Sequence, residues 1–163
     1  MKRILIADDS ELVRKQLRVI LESHPGWHVC SEAANGQKAI LLAQELKPDL
    51  VVLDLAMPML DGFRAAAEIV EMLPSVPIVI YTFHDLPQME LEAKKFGVRA
   101  IVPKSADEKF LIQALEGVLP PDTPPALADA TTGGAGTPIS LVWTEETPAE
   151  SQPGVPDPPP QAD

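Results

Sequence analysis

Asp8 and Asp9, Asp54, Thr82 and Lys104 stand at or just past the ends of short apolar runs, Ile4 to Ala7, Leu50 to Leu53, Ile78 to Tyr81 and Ala100 to Val102. Runs laid side by side would bring three carboxylates, a hydroxyl and an ammonium to one rim. Carboxylates brought together repel and raise one another's pKa unless a cation sits among them. Oxygen donors, several of them charged, with no His or Cys among these positions, favour Mg²⁺, which keeps part of its water and accepts phosphate oxygens in its remaining places. With such an ion and the Lys104 ammonium neutralising equatorial oxygens, and the Thr82 hydroxyl donating to another, in-line attack of a carboxylate on phosphorus becomes electrostatically reasonable. Asp54 ends the most central run and is the candidate nucleophile, while the adjacent Asp8 and Asp9 are better placed to hold metal.

These groups need a frame. The four runs, with Trp27 to Cys30, are strand-length and rich in Val and Ile. Between them Val13, Leu17, Ile20 and Leu21 share one helical face, as do Met89, Ala93 and Phe96, and Phe110, Leu111, Ala114, Leu115 and Val118. Ser10 and Asn35 suit helix N-caps, and Pro48, Gly97 and Pro120 stop helices. Strands that read as unbroken apolar runs are buried on both faces, which predicts an α/β fold with a five-stranded parallel sheet and helices on both sides. In such sheets ligands gather beyond the carboxyl ends of the strands, where the polar residues stand.

Composition limits the alternatives. The 163 residues are 45% hydrophobic and 23% charged, with no apolar run long enough to cross a membrane. The start, Met1-Lys2-Arg3 followed by four apolar residues and Asp8-Asp9, has no signal-peptide core, so a cytoplasmic location is expected. The single Cys30 excludes an internal disulfide and suits a buried, inert thiol. A net charge of −11 opposes attraction to nucleic acid or anionic lipid and favours protein or small-molecule partners. Prolines crowd the chain from Pro120 onward, with acidic residues and no Lys or Arg, so residues 1–119 are expected to form the domain and 120–163 a disordered Pro-rich acidic tail. Within that tail only Ile139 to Trp143 is apolar enough to dock or be recognised.

The ordered set Ile6-Ala7-Asp8-Asp9-Ser10, Pro48-Asp49-Leu50-Val51-Val52-Leu53-Asp54, Met57-Pro58-Met59-Leu60-Asp61-Gly62, Thr82 and Lys104 resembles the bacterial response-regulator receivers, over residues 2 to about 119. Leu21 to Trp27 and Glu32 to Gly36 are similar to receivers that carry a helix-turn-helix output, which is missing here, so a stand-alone receiver is expected. The resemblance implies a flavodoxin-like sheet of order 2-1-3-4-5, phosphorylation by a histidine kinase or a phosphotransfer protein, dependence on Mg²⁺, and an output face on the fourth helix, fifth strand and fifth helix. It makes Asp54 the phosphoacceptor and Asp9 a direct metal ligand, with Asp8 acting through water and the Ala56 backbone carbonyl as a further ligand. Thr82 would turn toward the phosphoryl oxygen, and Lys104 would pair with it. The downstream partner, an unknown protein, and a phosphorylation-dependent homodimer complete the expected associations.

Several positions depart from the family pattern. Ile101 stands where receivers often carry an aromatic that swings inward with the threonine, leaving either a reduced version of that movement or coupling through loops. Phe83 is bulky where a small residue is usual, which predicts slow exchange at Asp54, and Ala56 and His84 occupy positions that tune phosphoryl lifetime. Ser105 follows Lys104 where many receivers have proline, so a cis bond there would cost about 2.5–4 kcal/mol. Gly62 and Gly97 are expected as turn and cap residues, and His24, His28 and His84 lack metal-like clustering. Two other functions remain in view. One is a phosphorylation-independent scaffold; the other is an Asp-nucleophile phosphohydrolase, which needs a second acid two residues past Asp54, where Ala56 stands. No turnover of an external substrate is expected.

Overall fold

The computed structural model describes residues 1–84 and 86–120, so the expected tail beyond Pro120, including Ile139 to Trp143, lies outside the described residues. Strand and helix alternate along the described chain: β1 (Lys2–Ala7), α1 (Glu11–Ser23), β2 (Trp27–Ala33), α2 (Gly36–Leu46), β3 (Leu50–Leu53), α3 (Gly62–Met72), β4 (Ile78–Thr82), α4 (Leu86–Lys95), β5 (Ala100–Pro103) and α5 (Glu108–Val118). The strands form one parallel sheet in the order β2-β1-β3-β4-β5.

Successive strand side chains point to opposite faces, and here both faces are dry. Leu5, Ala7, Val51, Leu53, Ile78, Ile80 and Ile101 pack with Ala39, Ala43, Ala65, Ala66, Ile69 and Ala93, covering one face with α2, α3 and α4. Ile4, Ile6, Leu50, Val52, Val79, Ala100 and Val102 pack with Leu17, Leu21, Leu111, Ala114 and Leu115, covering the other with α1 and α5. Double coverage explains why the central strands read as apolar runs rather than as in-and-out alternation.

The helix boundaries follow local chemistry. Ser10 caps α1 by accepting from the Val13 N–H, and Asn35 caps α2 by accepting from the Lys38 N–H. Asp61 and Asp107 do the same for α3 and α5. Each such cap stabilises its helix by about 1 kcal/mol. The helix α4 ends at Lys95, before Gly97 at φ 74°, a left-handed turn that glycine adopts without strain.

Five boundaries differ from expectation, two of them because β4 and β5 each run one residue further, to Thr82 and Pro103. Phe96 lies one residue past α4 and stacks on Phe63, with ring centroids 5.4 Å apart. β1 begins at Lys2, ahead of its apolar run, and β2 extends to Ala33 because the polar Ser31 and Glu32 are tolerated on an edge strand. Glu32 is taken up by two arginines of α1. Cys30 is half-buried beside the Ile4 carbonyl, and burial pushes its thiol above the usual range.

Candidate functional site

The strand registers bring the polar residues together. Ala7 pairs with Leu53, so Asp8 and Asp54 leave the sheet side by side, and the Asp54 N–H donates to the Ala7 carbonyl at 2.8 Å. Thr82 pairs with Pro103, and the Lys104 N–H donates to the Thr82 carbonyl at 2.8 Å. Parallel strands point the same way, which is why residues far apart in sequence share one rim.

At that rim one carboxylate oxygen each from Asp8, Asp9 and Asp54 lies within 4.8 Å of the others. Asp8 and Asp54 are buried, at 1% and 5% exposure, and Asp9 faces solvent. The Lys104 ammonium reaches across from β5, 2.6 Å from Asp8 Oδ2 and 3.4 Å from Asp54 Oδ1. Burial pushes the Asp54 carboxyl above the usual carboxylate range; the Lys104 charge pulls it back, and the Asp8 charge adds to the rise.

Three carboxylates facing one ammonium leave the pocket short of positive charge. That imbalance, the all-oxygen donor set and the solvent-facing side at Asp9 fit a hard divalent cation. Ala56 is exposed in the loop after β3.

Thr82 is fully buried at the end of β4. Its hydroxyl shares a 3.0 Å hydrogen bond with His84 Nδ1 and accepts one of 3.3 Å from the His84 backbone N–H. Phe83 is 75% exposed, yet its ring centroid lies 5.1 Å from the Lys104 ammonium, within cation–π range. Ile101 has no exposed surface and belongs to the core beneath α4. The described peptide bonds are all trans, including that between Lys104 and Ser105.

Two contributors escape a reading of the strand ends. Arg14, one turn into α1, donates from its guanidinium to the Asp8 backbone carbonyl at 2.7 Å and is itself held by Glu32 at 3.2 Å. An arginine so soon after an acidic pair was the available signal. Gly62 is the other. It was expected in a turn, but it opens α3 against the backbone of Asp54, and a Cβ there would overlap the Asp54 carbonyl oxygen. His24 stacks on Trp27 and contacts Glu116, and His28 contacts Glu22, both away from the carboxylates.

The family model for the response regulator receiver domain matches residues 4–116. The chemotaxis protein CheY of Thermotoga maritima is 34% identical over 117 residues, covering 72% of this chain and 97% of its own. A protein-glutamate methylesterase/protein-glutamine glutaminase of Alkalilimnicola ehrlichii is 38% identical over 104 residues, 63% of this chain but 26% of that protein. The chain thus spans nearly all of one curated relative and about a quarter of the other.

Among solved structures, a LuxR-family two-component response regulator from Aurantimonas sp. SI85-9A1 superposes with a TM-score of 0.70 at 36% identity, covering 72% of this chain and 84% of that one. The CheX-CheY-BeF3-Mg+2 complex from Borrelia burgdorferi gives 0.69 at 26% identity, covering 72% and 88%.

Proposed function

Because this chain belongs to the response-regulator receiver family, whose members accept a phosphoryl group and switch a partner-binding surface, we propose that Asp54 is the accepting carboxylate. The observation that carries this reading is the Lys104 ammonium seated between buried Asp8 and Asp54, in a pocket of three carboxylates.

An Asp54 carboxylate oxygen attacks phosphorus in line, an acyl-phosphate bond forms, and the bond to the donor breaks, its electron pair leaving with the donor. A phosphohistidine of a histidine kinase or a phosphotransfer protein is the donor we infer. Lys104 is already 3.4 Å from the attacking side chain and would follow the incoming charge to a phosphoryl oxygen. Arg14 pins the Asp8 backbone, and Gly62 lets α3 close against Asp54, so the carboxylates are positioned before the phosphoryl group arrives.

Asp8, Asp9, Asp54 and the Ala56 carbonyl would hold Mg²⁺, with Asp9 bound directly and Asp8 through water. The ion supplies charge neutralisation at the phosphoryl oxygens. Thr82 would turn from His84 to donate to one of those oxygens. The exposed Phe83 beside Lys104 supports slow exchange of the phosphoryl group with solvent.

The wider reading places the receiver in residues 1–119 and an acidic, proline-rich tail in 120–163, in a cytoplasmic protein. It signals through protein partners, including an unidentified downstream protein and a phosphorylation-dependent second copy, without turnover of an external substrate. Among the described residues no helix is long and apolar enough to cross a membrane.

The test is intact-protein mass spectrometry with a small-molecule phosphodonor and Mg²⁺. Wild type should gain one phosphoryl mass, and Asp54→Ala none. Equal gain by both proteins, or none by either, overturns the assignment.

A further inference from the structure

Of the two routes expected for the signal, a reduced movement of Ile101 or coupling through loops, the first has no room: Ile101 has no exposed surface and sits in the core with Ala93 of α4, so it has no outward position from which to swing. The groups that must change partners on phosphorylation, Thr82 and Lys104, are instead touched by the two residues that follow β4. Phe83 lies over the Lys104 ammonium at 5.1 Å, and His84 holds the Thr82 hydroxyl with both its ring and its backbone. Two residues after His84, α4 begins.

From this juxtaposition we propose that His84 is a positioning residue: it latches the Thr82 hydroxyl in the resting state, and its release passes the phosphorylation signal to α4. The proposal rests on the reading of Asp54 as phosphoacceptor and of Thr82 as the hydroxyl drawn toward the phosphoryl group.

When Thr82 turns inward to donate to a phosphoryl oxygen, its hydroxyl oxygen leaves both the His84 ring nitrogen, 3.0 Å away, and the His84 backbone N–H, 3.3 Å away, whichever of hydroxyl and ring is the donor between them. The His84 ring and N–H then lose their acceptor or donor together. The segment that contains them is bonded directly to the chain entering α4, so the change reaches that helix without moving Ile101. The latch also opposes activation. Every molecule that accepts a phosphoryl group must first break it, which lowers apparent affinity by the fraction of molecules in the released state.

Beryllofluoride with Mg²⁺, an acyl-phosphate mimic, tests both consequences. Wild type, His84→Ala and His84→Asn are compared by fluorine and backbone NMR, with the metal-free amide spectra checking that each variant is folded. His84 is exposed at the surface, so its truncation leaves no cavity in the core.

In wild type, beryllofluoride should shift the amides of residues 82–84 and of α4 while the Ile101 methyl signals stay in place. His84→Ala should bind beryllofluoride about fivefold more tightly, the worth of one ordinary hydrogen bond, and should lose the α4 shifts. His84→Asn, whose amide can replace the ring nitrogen, should restore wild-type behaviour. A merely structural role for His84 would not tighten binding while silencing α4.

Wild-type values in His84→Ala for either affinity or α4 response overturn the latch, as do Ile101 methyl shifts that track α4. Failure of wild type to bind beryllofluoride at all is a different result: it removes the Asp54 reading, and the latch falls with it.

Discussion

Replacing Lys104 by methionine keeps an apolar stem of similar length and removes only the charged head. The ammonium lies 2.6 Å from Asp8 and 3.4 Å from Asp54, and the side chains of all three residues are at most 6% exposed. At an effective dielectric constant of about 20, those separations correspond to gross attractions of roughly 6 and 5 kcal/mol. Desolvation of the ammonium cancels part of this, and removing one partner of a buried pair typically costs about 3–5 kcal/mol. Two carboxylates are stranded here rather than one, which places Lys104→Met in the upper part of that range, about 4–5 kcal/mol. At about 3–6 °C per kcal/mol for a domain of this size, the metal-free melting temperature should fall by about 12–30 °C, as read by scanning calorimetry. Mg²⁺ should recover part of the loss, because the ion replaces the missing charge. Asp8→Asn in the same background should also recover part, because one stranded charge is gone. A melting temperature within about 3 °C of wild type would refute the reasoning. So would a full drop that neither Mg²⁺ nor Asp8→Asn relieves, since the loss would then come from packing.

Burial raises the Asp54 carboxyl pKa in the fold above its unfolded value, so as pH rises the unfolded chain releases that proton first. Asp54 therefore contributes nothing to stability at low pH and becomes a growing penalty from about pH 4 upward, levelling off above its raised folded value. Asp54→Asn should accordingly be more stable than wild type in metal-free buffer at neutral pH, with a gap that closes on acidification; urea unfolding from pH 3 to 8 would show a constant gap if this account is wrong. Gly62→Ala brings a methyl group into the Asp54 carbonyl, where backbone rather than a movable side chain must yield. It should cost about 1–3 kcal/mol and weaken Mg²⁺ binding, and unchanged stability and calorimetric affinity would rule out that close approach.

The residue types and their order already spelled out the sheet and the rim. Ile4 to Ala7, Leu50 to Leu53 and Ile78 to Tyr81 have no polar face to offer solvent, and that alone requires helices on both sides of a parallel sheet. Parallel strands then deliver Asp8, Asp54 and Lys104 to one end whatever the details of packing. What the chain order could not supply was anything set by distance across the fold. Glu32 reads as a loop residue until Arg14 and Arg18, approaching from α1, show it to be part of an edge strand. Gly62 reads as a turn residue because the carbonyl it must clear belongs to Asp54, eight positions earlier and in contact only after α3 docks. The His84 ring, a neighbour of Thr82 in sequence, becomes its hydrogen-bond partner only through the bend after β4. Local pattern reports which groups leave the same rim, because strand direction and period carry that information; which atoms touch there is decided by side-chain packing between elements distant in sequence, and that exists only in the folded chain.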